Sequence, residues 1–132
     1  MSESLDQQRA SFAWERIGGE CSKEYSILAK SAPALVMSNG LMQTLAFFEA
    51  KGKDHHEKLS TDLRAWLAKR FGGRQTGDAA YPLLEGGRVP SFGDTMEALR
   101  SCESSFYLEA TQEALEFLKW LRQIADAVKQ GA

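Results

Sequence analysis

The chain has 132 residues, with 16 Lys and Arg against 18 Asp and Glu, a formal net charge of −2 and a sequence pI near 5.7. That balance argues against a protein that coats bare nucleic acid by bulk charge. With 43% hydrophobic and 26% charged residues, it reads as one domain over 1–132 whose core needs neither disulfides nor a structural metal. No apolar run approaches the ~20 residues that span a bilayer, and the opening Met1-Ser2-Glu3-Ser4-Leu5-Asp6 is acidic where a secretion signal is basic and then apolar. A cytoplasmic protein without membrane contact is expected.

Helical periodicity dominates the chain. Ala10, Trp14, Ile17, Cys21, Tyr25 and Leu28 follow spacings of three and four, which predicts one long helix over 5–30, interrupted at Gly18-Gly19 by a kink or a close backbone approach. Ser31-Ala32-Pro33 predicts a restart, because proline suits a first helical turn, and Asn39-Gly40 a turn. Leu41, Leu45 and Phe48, flanked by Met42, Ala46 and Phe47, make the next helix apolar nearly all round, which predicts a central position, with Gly52 as its stop. Asp54 and Glu57 have capping-box spacing, and Leu59, Leu63, Trp66, Leu67 and Phe71 form one stripe before Gly72-Gly73.

The glycines and prolines from 72 to 90 predict one long loop, exposed and mobile. Ser91 then caps a short helix to about Ser101, and a last helix over 103–130 carries Phe106, Ala110, Ala114, Phe117, Leu118, Leu121, Ile124, Ala125 and Val128 on one face. The expected fold is all-α, a single compact bundle of five to six helices. Cys21 and Cys102 stand far apart and read as small core residues of a reducing compartment.

The small net charge conceals an asymmetry. Residues 1–50 hold four basic and six acidic side chains, residues 51–74 seven and three, and residues 75–132 five and nine. The basic residues of the middle segment are Lys51, Lys53, Lys58, Arg64, Lys69, Arg70 and Arg74. At 100° per residue, Lys58 and Lys69 fall opposite the apolar stripe with Arg64 at its margin, a surface suited to phosphates along a nucleic-acid backbone. A solvated helix face explains the same residues, so charge alone leaves both readings open. On the last helix, Glu109, Glu113 and Glu116 form an acidic ridge with Trp120 beside it. Trp120 there is either an anchor for a protein partner or a residue covered by the loop or the first helix.

His55-His56 between Asp54 and Glu57 is the one cluster resembling metal ligands, but adjacent helical residues point about 100° apart, and no third His or Cys is near in sequence. A solvated helix start is the simpler reading, so no metal and no cofactor are expected. Phosphate-binding Gly-Lys-Ser/Thr, His-Glu-x-x-His and Gly-x-Ser-x-Gly motifs are absent from the sequence, and no catalytic residue is assigned.

Two stretches resemble a known family. In the first, a proline-initiated Pro33 segment leads to Asn39-Gly40-Leu41 and then Gln43-Thr44-Leu45-Ala46-Phe47, closed by Lys51-Gly52. The second is Tyr107-Leu108-Glu109-Ala110-Thr111-Gln112-Glu113-Ala114-Leu115-Glu116-Phe117-Leu118-Lys119-Trp120-Leu121. Together they resemble the small helical subunit of the type III-B CRISPR RNA-guided effector, the Cmr complex.

The resemblance implies a non-catalytic antiviral-defence subunit that stacks in more than one copy, contacts the backbone and large subunits, and lines the channel holding guide RNA and target RNA. It implies structural roles for the motif residues, with Asn39-Gly40 turning the chain and Phe47, Phe117 and Leu121 packing. RNA contact then falls to the basic segment, and the opposite charges of the two segments suggest copies stacked with the basic helix of one beside the acidic ridge of the next. The alternative is a helical protein-interaction module without RNA contact, docking through Trp120, Glu109, Glu113 and Glu116.

Overall fold

Ser4 opens α1 (Leu5–Ile17) with a reciprocal capping box: its Oγ accepts from the Gln7 amide at 3.1 Å, and the Gln7 side chain accepts from the Ser4 amide at 2.8 Å. Two of the groups that a helix start leaves unpaired are thereby satisfied. The computed structural model describes residues 3–130. It shows an all-α architecture, with α2 (Lys23–Asn39), α3 (Leu41–Lys51), α4 (Asp54–Phe71), α5 (Phe92–Ser101) and α6 (Ser104–Val128) following α1. Extended pairing among the described residues is limited to isolated bridges. No helix there is long and apolar enough to cross a membrane.

The single helix expected over 5–30 is two helices. Gly18 takes the left-handed conformation at φ 76°, its amide closing on the Trp14 carbonyl, and Ser22 caps α2 by accepting from the Tyr25 amide. An added Cβ would meet nothing within 4 Å at Gly18 or Gly19, so the pair serves the turn and admits no close backbone. The break also moves the buried face. Phe12, Ala13 and Ile17 point inward, whereas Trp14 is 55% exposed.

Pro33 does not restart the chain but lies inside α2. An interior proline removes one amide donor and costs about 3 kcal/mol. The buried neighbours Ala29, Ala32 and Val36 keep the helix continuous on the core side.

The capping box expected at Asp54 and Glu57 is not formed, since Lys53 occupies the N-cap position without a side-chain bond. Both acids still lie in the first turn of α4, where they complement the positive helix end. The centre of the bundle belongs to α4 rather than α3. It packs against α1, α2, α3 and α6, and buries Ser60, Asp62, Ala65 and Ala68 in addition to its apolar stripe. α3 buries Leu41, Thr44, Leu45 and Phe48 against α2, α4 and α5, while Phe47 is 40% exposed.

The core closes where Trp66 stacks on Phe117, ring centroids 5.1 Å apart, with Phe12 tilted against both. Fully burying a side chain of this class contributes about 1.5–3 kcal/mol. α6 runs against α1 and α2, tied at its end by a bond from the Gln130 amide to the Cys21 carbonyl and by Lys30–Asp126 at 3.0 Å. Both cysteines are free thiols, Cys21 buried and Cys102 half-buried.

The loop after α4 is anchored, not wholly exposed. Tyr81 inserts beside Phe71 and Phe106, and its backbone pairs with Gly73 and Arg74. Gly72 is required by close approach, since an added Cβ would collide with the Ala68 carbonyl and stand 3.2 Å from the Leu83 Cα. Ser91 caps α5 as expected, accepting from the Asp94 amide at 3.0 Å.

Candidate nucleic-acid interface

The face of α4 carrying Lys58 and Lys69 is bordered by α1, which partly covers Lys58 and leaves Lys69 exposed. Lys58 Nζ donates to the Arg16 carbonyl at 2.8 Å and to Asp62 at 3.1 Å, and Lys69 Nζ stands 5.7 Å over the Phe12 ring. Asp62 is fully buried and also accepts from Arg16 at 2.8 Å and from the Tyr25 hydroxyl at 2.7 Å. One carboxylate thus joins α1, α2 and α4.

The three arginines are spent internally as well. Arg64 donates to Ser60, Thr61 and the Pro90 carbonyl, clamping the end of the long loop onto α4, and burial lowers its pKa. Arg70 Nε lies 3.4 Å from Glu113, and Arg74 makes a two-pronged pair with Glu109 at 2.7 and 3.0 Å. Of the seven basic residues, Lys51, Lys53, Arg64 and Lys69 make no ion pair among the described residues, and of these only Arg64 is held by hydrogen bonds. Lys69, with Arg70 and Gln8, edges a cleft of about 340 Å³ between α1 and α4, floored by Trp66 and Leu5.

The acidic ridge is corrected in the same way. Glu113 is 5% exposed and receives Arg9 at 2.6 and 3.0 Å and the Trp66 indole N–H at 3.0 Å. Burial pushes its carboxyl up, but the hydrogen bonds from Arg9 and Trp66 and the charges of Arg9 and Arg70 outweigh that and hold it below the ordinary value. Glu109 is held low by Arg74, and Glu116 pairs with Lys119 at 3.0 Å. Basic and acidic segments meet within one chain at Arg70–Glu113 and Arg74–Glu109, so these four side chains pair internally. Trp120 is half-buried against α1, its indole N–H donating to Asp6 at 3.0 Å.

The sequence reading missed the α3–α4 corner. There Phe47 is exposed rather than packed, Lys51 Nζ stands 5.6 Å from its ring centre, and Lys53 is exposed just past the end of α3. Beneath them His56 is buried against Phe47 and Phe48, with the His55 ring tilted against it at 4.4 Å. Burial lowers the His56 pKa, and the charges of His55, Lys51 and Lys53 push it the same way. The available signal was the tandem Phe47-Phe48: adjacent helical residues point about 100° apart, so one of two neighbouring rings on a short helix falls toward the edge of its buried face.

Among the described residues no group of three His, Cys, Asp or Glu is placed to hold a metal ion. Residues 5–128 match the family model described as CRISPR-associated protein (Cas_Cmr5). A relative named CRISPR system Cmr subunit Cmr5, from Thermus thermophilus, is 32% identical over 114 residues, which span 86% of this chain and 82% of the relative. The crystal structure of a CRISPR-associated Cmr5 family protein from the same organism superposes with a TM-score of 0.72 at 28% identity, covering 96% of this chain and 98% of that one. The six-helix arrangement and the match along nearly the whole chain agree, and the chain belongs to the Cmr5 family of CRISPR-associated proteins.

Proposed function

We propose that the chain is a non-catalytic structural subunit of a type III-B RNA-guided antiviral effector, the Cmr complex, working in the cytoplasm. In this reading it stacks in several copies beside the backbone and large subunits and helps line the channel for guide RNA and target RNA. Lys51, Lys53 and Lys69 meet backbone phosphates, while Lys58, Arg64, Arg70 and Arg74 hold the fold. The observation that supports this division is engagement within the fold: the last four are held by Asp62, the Pro90 carbonyl, Glu113 and Glu109, and the first three make neither an ion pair nor a side-chain hydrogen bond among the described residues.

The test is RNA retention by the reconstituted complex carrying Lys51→Glu, Lys53→Glu and Lys69→Glu. Retention is expected to fall, and each lost single-strand phosphate contact to flatten the log–log salt dependence by about 0.7. Unchanged retention across salt overturns the assignment.

A second reading, a protein-interaction module without RNA contact, is favoured by Met37 on α2 and Leu108 on α6, exposed at 76% and 66%. It predicts that Met37→Glu with Leu108→Glu releases the partner subunits while the lysine reversals change nothing.

A further inference from the structure

The α3–α4 corner holds more than charge. Phe47 keeps 40% of its surface open in a helix that buries Leu41, Leu45 and Phe48 completely. Its ring is braced from behind, edge-on by His56 at 5.9 Å and tilted by Phe48 at 6.0 Å, so its orientation is set by packing. Lys51 stands over the ring, and Lys53 follows the left-handed Gly52 that turns the chain from α3 into α4. An oriented, exposed aromatic ring with unpaired cations on the same corner is the arrangement by which proteins hold single strands without reading sequence, the bases stacking and the phosphates meeting charge.

We propose that this corner is a stacking site for an unpaired nucleobase, with the base lying on Phe47 and its flanking phosphates on Lys51 and Lys53. The inference rests on the RNA reading above and adds to it that the strand is held by a base as well as by its backbone. The adjoining cleft of about 520 Å³ fixes the side on which the strand passes. Glu24 and Asp54 line that cleft with Lys53 and His55, and two carboxylates repel phosphate, so the backbone keeps to the Lys51 side and meets Lys53 at the rim of the cleft rather than inside it.

The experiment compares binding of the full chain to a single-stranded oligoadenylate and to an abasic strand with the same number of phosphates. The wild type is expected to prefer the base-bearing strand by about tenfold, the effect of one stacked base. Phe47→Leu is expected to erase that preference with binding of the abasic strand unchanged, and Phe47→Tyr to keep it. Equal affinity of the wild type for both strands overturns the stacking site and leaves the backbone reading standing. A preference that survives Phe47→Leu overturns the assignment to this ring. Binding of neither strand overturns the stacking site, and the backbone reading falls with it only if the complex carrying Lys51→Glu, Lys53→Glu and Lys69→Glu also retains RNA unchanged. Loss of partner subunits from the assembled complex in Phe47→Leu, with the strand preference intact, assigns the ring to a protein contact instead.

Discussion

The seam between α1, α4 and α6 and the corner between α3 and α4 are built from similar residue types and do opposite things with them. In the seam, Asp62 and Glu113 are buried, and each gathers cations and a donor from an aromatic side chain: Arg16, Lys58 and Tyr25 for the first, Arg9, Arg70 and Trp66 for the second. At the corner, Lys51 lies over Phe47 and Lys53 lines a cleft with His55, and neither makes an ion pair among the described residues. A cation next to a buried acid is a structural element, and the same cation next to an exposed ring keeps its charge open to solvent. Local density of Lys and Arg does not separate the two, because what matters is which helix arrives opposite.

The largest test of this contrast is Asp62→Ala. It leaves the Tyr25 hydroxyl buried without its acceptor and strips two cations of their partner, and a loss of about 3 kcal/mol is expected. In thermal unfolding that is on the order of a 10 °C fall in Tm. A loss below about 1 kcal/mol would mean that Arg16 and Lys58 rehydrate freely, and that the seam is no more built than the corner.

Next in size is the response to acid, which reads the corner through His56. Its folded pKa lies below the ordinary 6.5, so in that window the unfolded chain binds a proton that the folded chain refuses. Stability contributed by His56 is therefore complete above about pH 6.5 and is lost as pH falls through its folded value. The seam carboxylate Glu113, lowered from 4.5, yields only at more acidic pH. Urea unfolding across the range from neutral to mildly acidic pH is expected to show the earlier loss in the wild type and not in His56→Gln. An identical profile in the variant removes His56 as its source.

The smallest effect is expected at the edge of the seam. Trp120→Phe removes one exposed hydrogen bond to Asp6 and retains an aromatic ring, for a change of about 0.5 kcal/mol or less in chemical denaturation. A larger loss would extend the tightly built region out to the protein surface.

Much of the fold was legible in the residues. The stripes of α4 and α6, the Ser91 cap, the Gly52 stop and the turn at Asn39-Gly40 follow from periodicity and from local backbone chemistry, and all of them appear in the structure. The errors have a common physical origin. Pro33, Trp14 and the interior of the loop depend on what packs against them: Val36 and its neighbours keep α2 continuous through the proline, and Phe71 with Phe106 draws Tyr81 inward. The candidate site was legible as composition but not as placement. Lys51 and Lys53 were found with five other cations, and nothing in their spacing marked them as different.

Residue order alone was enough for a helical chain, the limits of most of its helices, the family it belongs to, and a basic middle segment between acidic flanks. Which charges are internal depends on how the helices pack. An ion pair between Arg74 and Glu109, or between Arg70 and Glu113, forms when α4 and α6 are brought side by side from distant positions in the chain. Coulomb attraction acts through space and is indifferent to chain order. The −2 of the whole chain thus hides two ion pairs between the basic and acidic segments, Arg70–Glu113 and Arg74–Glu109, and leaves Lys51, Lys53 and Lys69 without an ion pair among the described residues.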